Sequence, residues 1–140
     1  MTAQLHAGRL RLQLESRRAA MGIGVAAIAA IHVLDLPDKL KETPYLGYLY
    51  IVLIVAALVI TERLFTVATK LDYLAAGALA AAVLVAFVIN RTAGMPGAMD
   101  DIGNWLEPLG LLSLVVEVFV VWQSVAALRA IRRLRALAIA

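Results

Sequence analysis

Four long apolar runs, separated by short polar stretches, organise this chain. Ala19–Leu36, Tyr45–Thr61, Leu71–Asn90 and Leu109–Leu128 are each close to the roughly 20 residues a helix needs to cross a hydrocarbon core about 30 Å thick. The first three carry Asp, Glu, Lys or Arg only near their ends. A helix satisfies its own backbone polar groups, so runs of this length read as spanning helices. Pro37, Pro44, Pro96 and Pro108 fall outside the runs, where a missing N–H costs no helix hydrogen bond, and Pro108 suits the first turn of the fourth helix. The pattern predicts an all-α, four-helix transmembrane bundle making one integral membrane domain over residues 1–140. Short connections should make successive helices antiparallel neighbours.

The flanks and seams add detail. Gly8–Ser16 alternates leucine with polar residues, formally a strand pattern, but a lone strand beside a membrane has no partner. A helical extension of the first span is expected instead. Arg129–Ala140 keeps the helical pattern with interspersed arginines, as a basic helix against anionic headgroups does. Ala78, Ala82 and Ala86 repeat every four residues in the third span, and Gly22 and Ala26 offer a similar seam in the first. Small residues at that spacing let helix backbones approach closely in lipid.

Composition agrees: 63% of residues are hydrophobic and 16% charged, too apolar for a soluble domain of this size. Charge placement then orients the bundle. Arg9, Arg11, Arg17, Arg18, Arg63, Lys70, Arg129, Arg132, Arg133 and Arg135 lie on one side. Lys39, Lys41 and Arg91 share the other with Asp35, Asp38, Glu42, Asp100, Asp101 and Glu107. The positive-inside rule puts both termini, with the basic ends 1–18 and 129–140, in the cytoplasm of an inner-membrane protein. The net charge of +3 thus reads as topology rather than nucleic-acid binding. Ser16-Arg17-Arg18 before Ala19–Ala30 superficially resembles an export signal, but cleavage would leave an odd number of spans with a reversed bias, so it reads as an ordinary first span.

Chemistry concentrates on few residues. Glu117 sits near the middle of the fourth span, where a charge costs roughly 2.5–3.5 kcal/mol and is normally paired, protonated or facing a polar cavity. At 100° per residue Gly110, Ser113, Glu117 and Ser124 form one stripe, expected to face the bundle interior. The carboxylate reads either as polar glue between helices or as a proton- or ligand-binding group. His32 lies about one turn inside the other end of its span with Asp35 on the same face, and His32 could approach Glu117. An imidazole with carboxylates suits metal ligation or proton relay, so His32, Asp35 and Glu117 are the candidate metal set. His6 is too far from His32 within one protomer, so a bis-histidine haem would need a second copy or a partner subunit. Asp100, Asp101 and Glu107 are alternative cation ligands, although Arg91 supplies an internal partner and the spacing is not that of a calcium loop. Tyr45, Tyr48 and Trp105 read as headgroup anchors.

Cysteine is absent, which removes disulfides and thiolate sites, and there is no phosphate loop, H-E-x-x-H or nucleophile elbow. Catalysis by this chain alone is not expected. The segments His32-Val33-Leu34-Asp35-Leu36-Pro37 and Asp101-Ile102-Gly103-Asn104-Trp105-Leu106-Glu107-Pro108-Leu109-Gly110, with Ser113-Leu114 and Glu117, resemble a group of small bacterial four-span membrane proteins. The resemblance covers most of the chain and carries no activity. It implies a shared outer-half site at His32, Asp35, Trp105, Glu107 and Glu117.

These observations point to an accessory or ligand-binding subunit with a polar pocket open to the outer face. Glu117, His32, Asp35, Glu107 and Ser113 would bind a transition-metal ion or redox cofactor, with Arg91, Asp101, Asn104 and Trp105 as outer-loop contacts. Two alternatives stand beside it: a proton or cation transporter using Glu117, and a structural assembly subunit. Lipid, a second copy or a larger membrane complex are the expected partners.

Overall fold

The computed structural model describes residues 2–139 and contains four long helices: α1 (Thr2–Glu42), α2 (Pro44–Thr66), α3 (Lys70–Thr92) and α4 (Pro108–Ile139). All four are long and apolar enough to cross a membrane, the architecture of a multi-pass membrane protein in contact with lipid. A single 3₁₀ turn, Met99–Asp101, lies in the α3–α4 connection.

Local chemistry sets where each helix starts and stops. Only Thr43 separates α1 from α2. Its N–H donates to the Lys39 carbonyl, its own carbonyl receives the Leu46 and Gly47 N–H groups, and Pro44 opens α2 where no donor is needed. The α2–α3 link is as brief. The Thr69 backbone N–H and hydroxyl both donate to the Asp72 carboxylate at 2.7 Å, fixing the start of α3. Glu107 begins α4 by accepting the Gly110 N–H at 3.1 Å.

Helices run on past their apolar segments at both ends of the bundle, and at Pro37 this departs from the sequence reading. The Gly8–Ser16 stretch is helical as expected, but α1 also continues through Pro37. Pro37 has no N–H for the Val33 carbonyl, and Val33 lies on an exposed face. At the other end α4 carries Arg129–Ile139 as an unbroken continuation of its apolar part.

The helices do not form a symmetric ring. α2 packs along α1, α1 along α4 and α4 along α3, whereas α2 and α3 touch sparsely despite their short link. Packing rather than water exclusion joins helices within lipid, so close backbone approach matters. A Cβ on Gly24 of α1 would stand 2.7 Å from Val120 of α4, and one on Gly77 of α3 would collide with Ser124 of α4. The core gathers Met21, Val25 and Ile28 from α1, Ala57 and Leu64 from α2, Tyr73, Ala76 and Ala80 from α3, and Val120 and Ala127 from α4. The buried seam of α3 is thus Ala76 and Ala80; Ala78 and Ala82, of the seam read from sequence, are exposed on the opposite face.

The ends differ in character. At the basic end Arg18 donates to the Leu64 carbonyl at 2.6 Å and to the Phe65 carbonyl, closing the last turn of α2. Arg17 donates to Gln123 at 2.7 Å, and Arg63 pairs with Asp72 at 2.5 Å.

Candidate functional site

At the acidic end the helices part around a cavity of about 440 Å³, bordered by α1, α2, α3, α4 and the α3–α4 connection. That volume is within the range of small-molecule sites. Glu117 lies against it from α4 and has no exposed surface. The stripe predicted on α4 does face inward: Gly110, Ser113, Glu117 and Ser124 are all buried. The Ser113 hydroxyl donates to Glu117 Oε1 at 2.5 Å, one helical turn away. Glu117 Oε2 is buried with no hydrogen-bond partner. A buried polar atom without a partner costs roughly 1–3 kcal/mol, more when charged, so an atom left this way beside a cavity points to something that enters it.

His32 borders the same cavity from α1. Its Nδ1–H donates to the Ile28 carbonyl at 2.9 Å, which leaves Nε2 as an acceptor in the neutral ring. Tyr50 of α2 meets the imidazole edge-on, with centroids 4.7 Å apart, and donates its hydroxyl to Asp35 at 3.2 Å. Tyr50 escaped the sequence reading because it sits inside an apolar run. Its signal was depth: a tyrosine several residues past the headgroup-level Tyr45 and Tyr48 needs a polar partner for its hydroxyl.

The rim is an ion-pair cluster centred on Asp101. Asn90 donates to it at 2.8 Å, Arg91 at 2.8 Å, and Lys39 stands 3.4 Å away. Burial pushes the Asp101 carboxyl up, yet Asn90, Lys39 and Arg91 together hold it below the ordinary 3.8. Arg91 also reaches Glu107 at 3.0 Å, and its guanidinium lies over the Phe87 ring. Glu107 is therefore engaged twice, as the helix cap of α4 and as a partner of Arg91. Trp105 packs edge-on against Phe87 with centroids 6.0 Å apart, and Asn104 is exposed. The rim is tied to the α1–α2 link and the start of α2 by Thr43 and Tyr45, which donate to the Gly97 and Pro96 carbonyls.

The sequence-derived residues thus converge on one cavity, but in different roles. Glu117, His32, Ser113 and Asp35 border it, whereas Arg91, Asp101 and Glu107 chiefly brace its rim. The proposed metal set does not close: among the described residues no three His, Asp or Glu side chains come together to hold a metal ion. Asp35 is engaged with Tyr50 and Glu117 with Ser113. His6 and His32 lie on one helix, roughly 39 Å apart at 1.5 Å per residue.

Beyond Glu117 the polar path stops. Val25, Ile28, Ala80 and Val120 are fully buried core residues, and the Ser124 hydroxyl is committed to the Tyr73 carbonyl at 2.8 Å. The arrangement is a one-ended polar pocket with an unsatisfied carboxylate oxygen beside it. No family model, curated protein or solved structure matches the chain.

Proposed function

We propose that this protein is a ligand-binding subunit of a bacterial cytoplasmic membrane, holding its ligand in the acidic-end cavity, and that this end faces outward as the charge bias implies. The observation that carries the reading is the unpartnered Oε2 of the fully buried Glu117 beside a cavity of ligand size. The donor set favours an organic ligand over a resident metal ion, since the carboxylates near Glu117 already hold partners from the protein. The lipid-facing surface of α2, with Val52, Val55, Leu58 and Val59 exposed, gives a second copy or a larger membrane complex a place to pack.

Native mass spectrometry of the full chain, extracted with its surrounding lipid, tests this directly. A stoichiometric adduct is expected on the wild-type protein and is expected to disappear in Glu117→Gln and His32→Ala. A clean protein would refute the reading. Transport is the competing use of Glu117, and the apolar layer formed by Val25, Ile28 and Val120 argues against it. Proteoliposomes should therefore show no proton or cation flux above empty vesicles; flux lost in Glu117→Gln would replace binding with transport.

A further inference from the structure

We infer that the cavity takes a cationic amphiphile, an ammonium head held at Glu117 with its apolar tail leaving between α2 and α3. This rests on the cavity being a ligand site and specifies what occupies it.

The head chemistry follows from what the lining lacks. Glu117 Oε2 is an unpartnered acceptor. So is Asn90 Oδ1, and the amide is held that way round because its Nδ2 donates to Asp101. His32 Nε2 is a third acceptor, since Nδ1–H is used on the Ile28 carbonyl. Free acceptors along the lining, with the fully buried Glu117 at its floor, call for a donor-rich or positively charged group. The orphaned donor of the lining, Arg91 Nε, belongs to a guanidinium already held by Asp101, Glu107 and the Phe87 face. Charge agrees. Asp35, Asp38, Glu42, Asp101, Glu107 and Glu117 border the cavity against Lys39 and Arg91, and both cations pair with carboxylates of that same set. An anionic head would enter an excess of negative charge; an ammonium would relieve it.

The tail follows from the shape of the bundle. α2 and α3 are consecutive helices that pack sparsely, and the cavity is lined by Leu49 and Leu53 of one and Ala82, Val83 and Ala86 of the other. Leu49 and Ala82 are exposed on the flank that meets acyl chains. A small hydrated cation has no use for such a wall, whereas a molecule already dissolved in the bilayer reaches Glu117 along it.

The test titrates the full chain, held in discs of zwitterionic lipid, with dodecylammonium, dodecyl sulfate and methylammonium. One saturable dodecylammonium per chain is expected, at least tenfold tighter than either other probe. Glu117→Gln should weaken it tenfold or more, and so should Ala82→Trp, which fills the α2–α3 flank and leaves every polar side chain of the lining in place. Circular dichroism shows whether each variant keeps its helices. If Glu117→Gln does not fold, the wild-type ranking of the probes and Ala82→Trp still decide. Equal or tighter binding of dodecyl sulfate, or indifference to a folded Glu117→Gln, overturns the ammonium head. Methylammonium binding as tightly as dodecylammonium overturns the tail. An anionic or metal adduct on the extracted protein would sink this inference while leaving the ligand-binding reading intact; no adduct and no probe binding would end both.

Discussion

Glu117 is buried and only half satisfied. Its buried carboxylate has one partner where it has room for more, and replacing an under-satisfied buried polar group by an apolar one of similar size is often neutral or stabilising. Glu117→Leu should therefore melt at the wild-type temperature or higher, by on the order of 1 kcal/mol, while losing the copurified ligand; a large fall in melting temperature would make Glu117 structural glue instead. Asp101 behaves oppositely. Its folded-state pKa is depressed below 3.8, so its stabilising contribution is complete above that value and is lost as pH falls through the lower folded value. Thermal midpoints measured from about pH 5 to about pH 2.5 should drop in the wild type and drop less in Asp101→Asn. At this scale the sequence was most readable where a residue contradicted its surroundings, as Glu117 and His32 do within apolar runs. It was least readable where a residue fitted them. Tyr50 and Phe87 pass as ordinary apolar positions, and only the meeting of separate helices gives them their roles beside His32 and Arg91.

Element by element, the existence of the four helices follows from apolar length, because lipid leaves the backbone no other way to satisfy itself. Their limits did not follow. Pro37 reads as a stop signal, yet α1 passes through it, since one lost bond on an exposed face is outweighed by the turns on either side. The buried seam of α3 lies on the face opposite Ala78 and Ala82, which look the same in sequence as the buried Ala76 and Ala80. Two substitutions test the packing that results. Gly77→Val drives a side chain into Ser124 and should loosen α3 from α4, at a cost of several kcal/mol read from the melting midpoint. Ala68, in the short link before α3, has φ of 52°, where a side chain is strained. Ala68→Gly should stabilise the protein by about 1 kcal/mol, and no gain in melting temperature would mean the strain is absorbed elsewhere.

The whole molecule is less symmetric than its sequence. Short connections predict that each helix packs on the next, but the close packing runs from α2 to α1 to α4 to α3, and the cavity borders the sparsely packed α2–α3 side. Which side stays open depends on the total of many small contacts, which no local pattern reports. The same unequal packing bears on biogenesis. α1 with α2, and α3 with α4, are two hairpins, each closed on itself, that meet mainly along one α1–α4 seam. Each can enter the bilayer as an independent unit and dock afterwards, so the peptide bonds between Thr66 and Lys70 do little to specify the final assembly. Co-expressed fragments 1–67 and 68–140 are therefore expected to copurify as one complex, whereas a cut inside either hairpin should scatter the pieces.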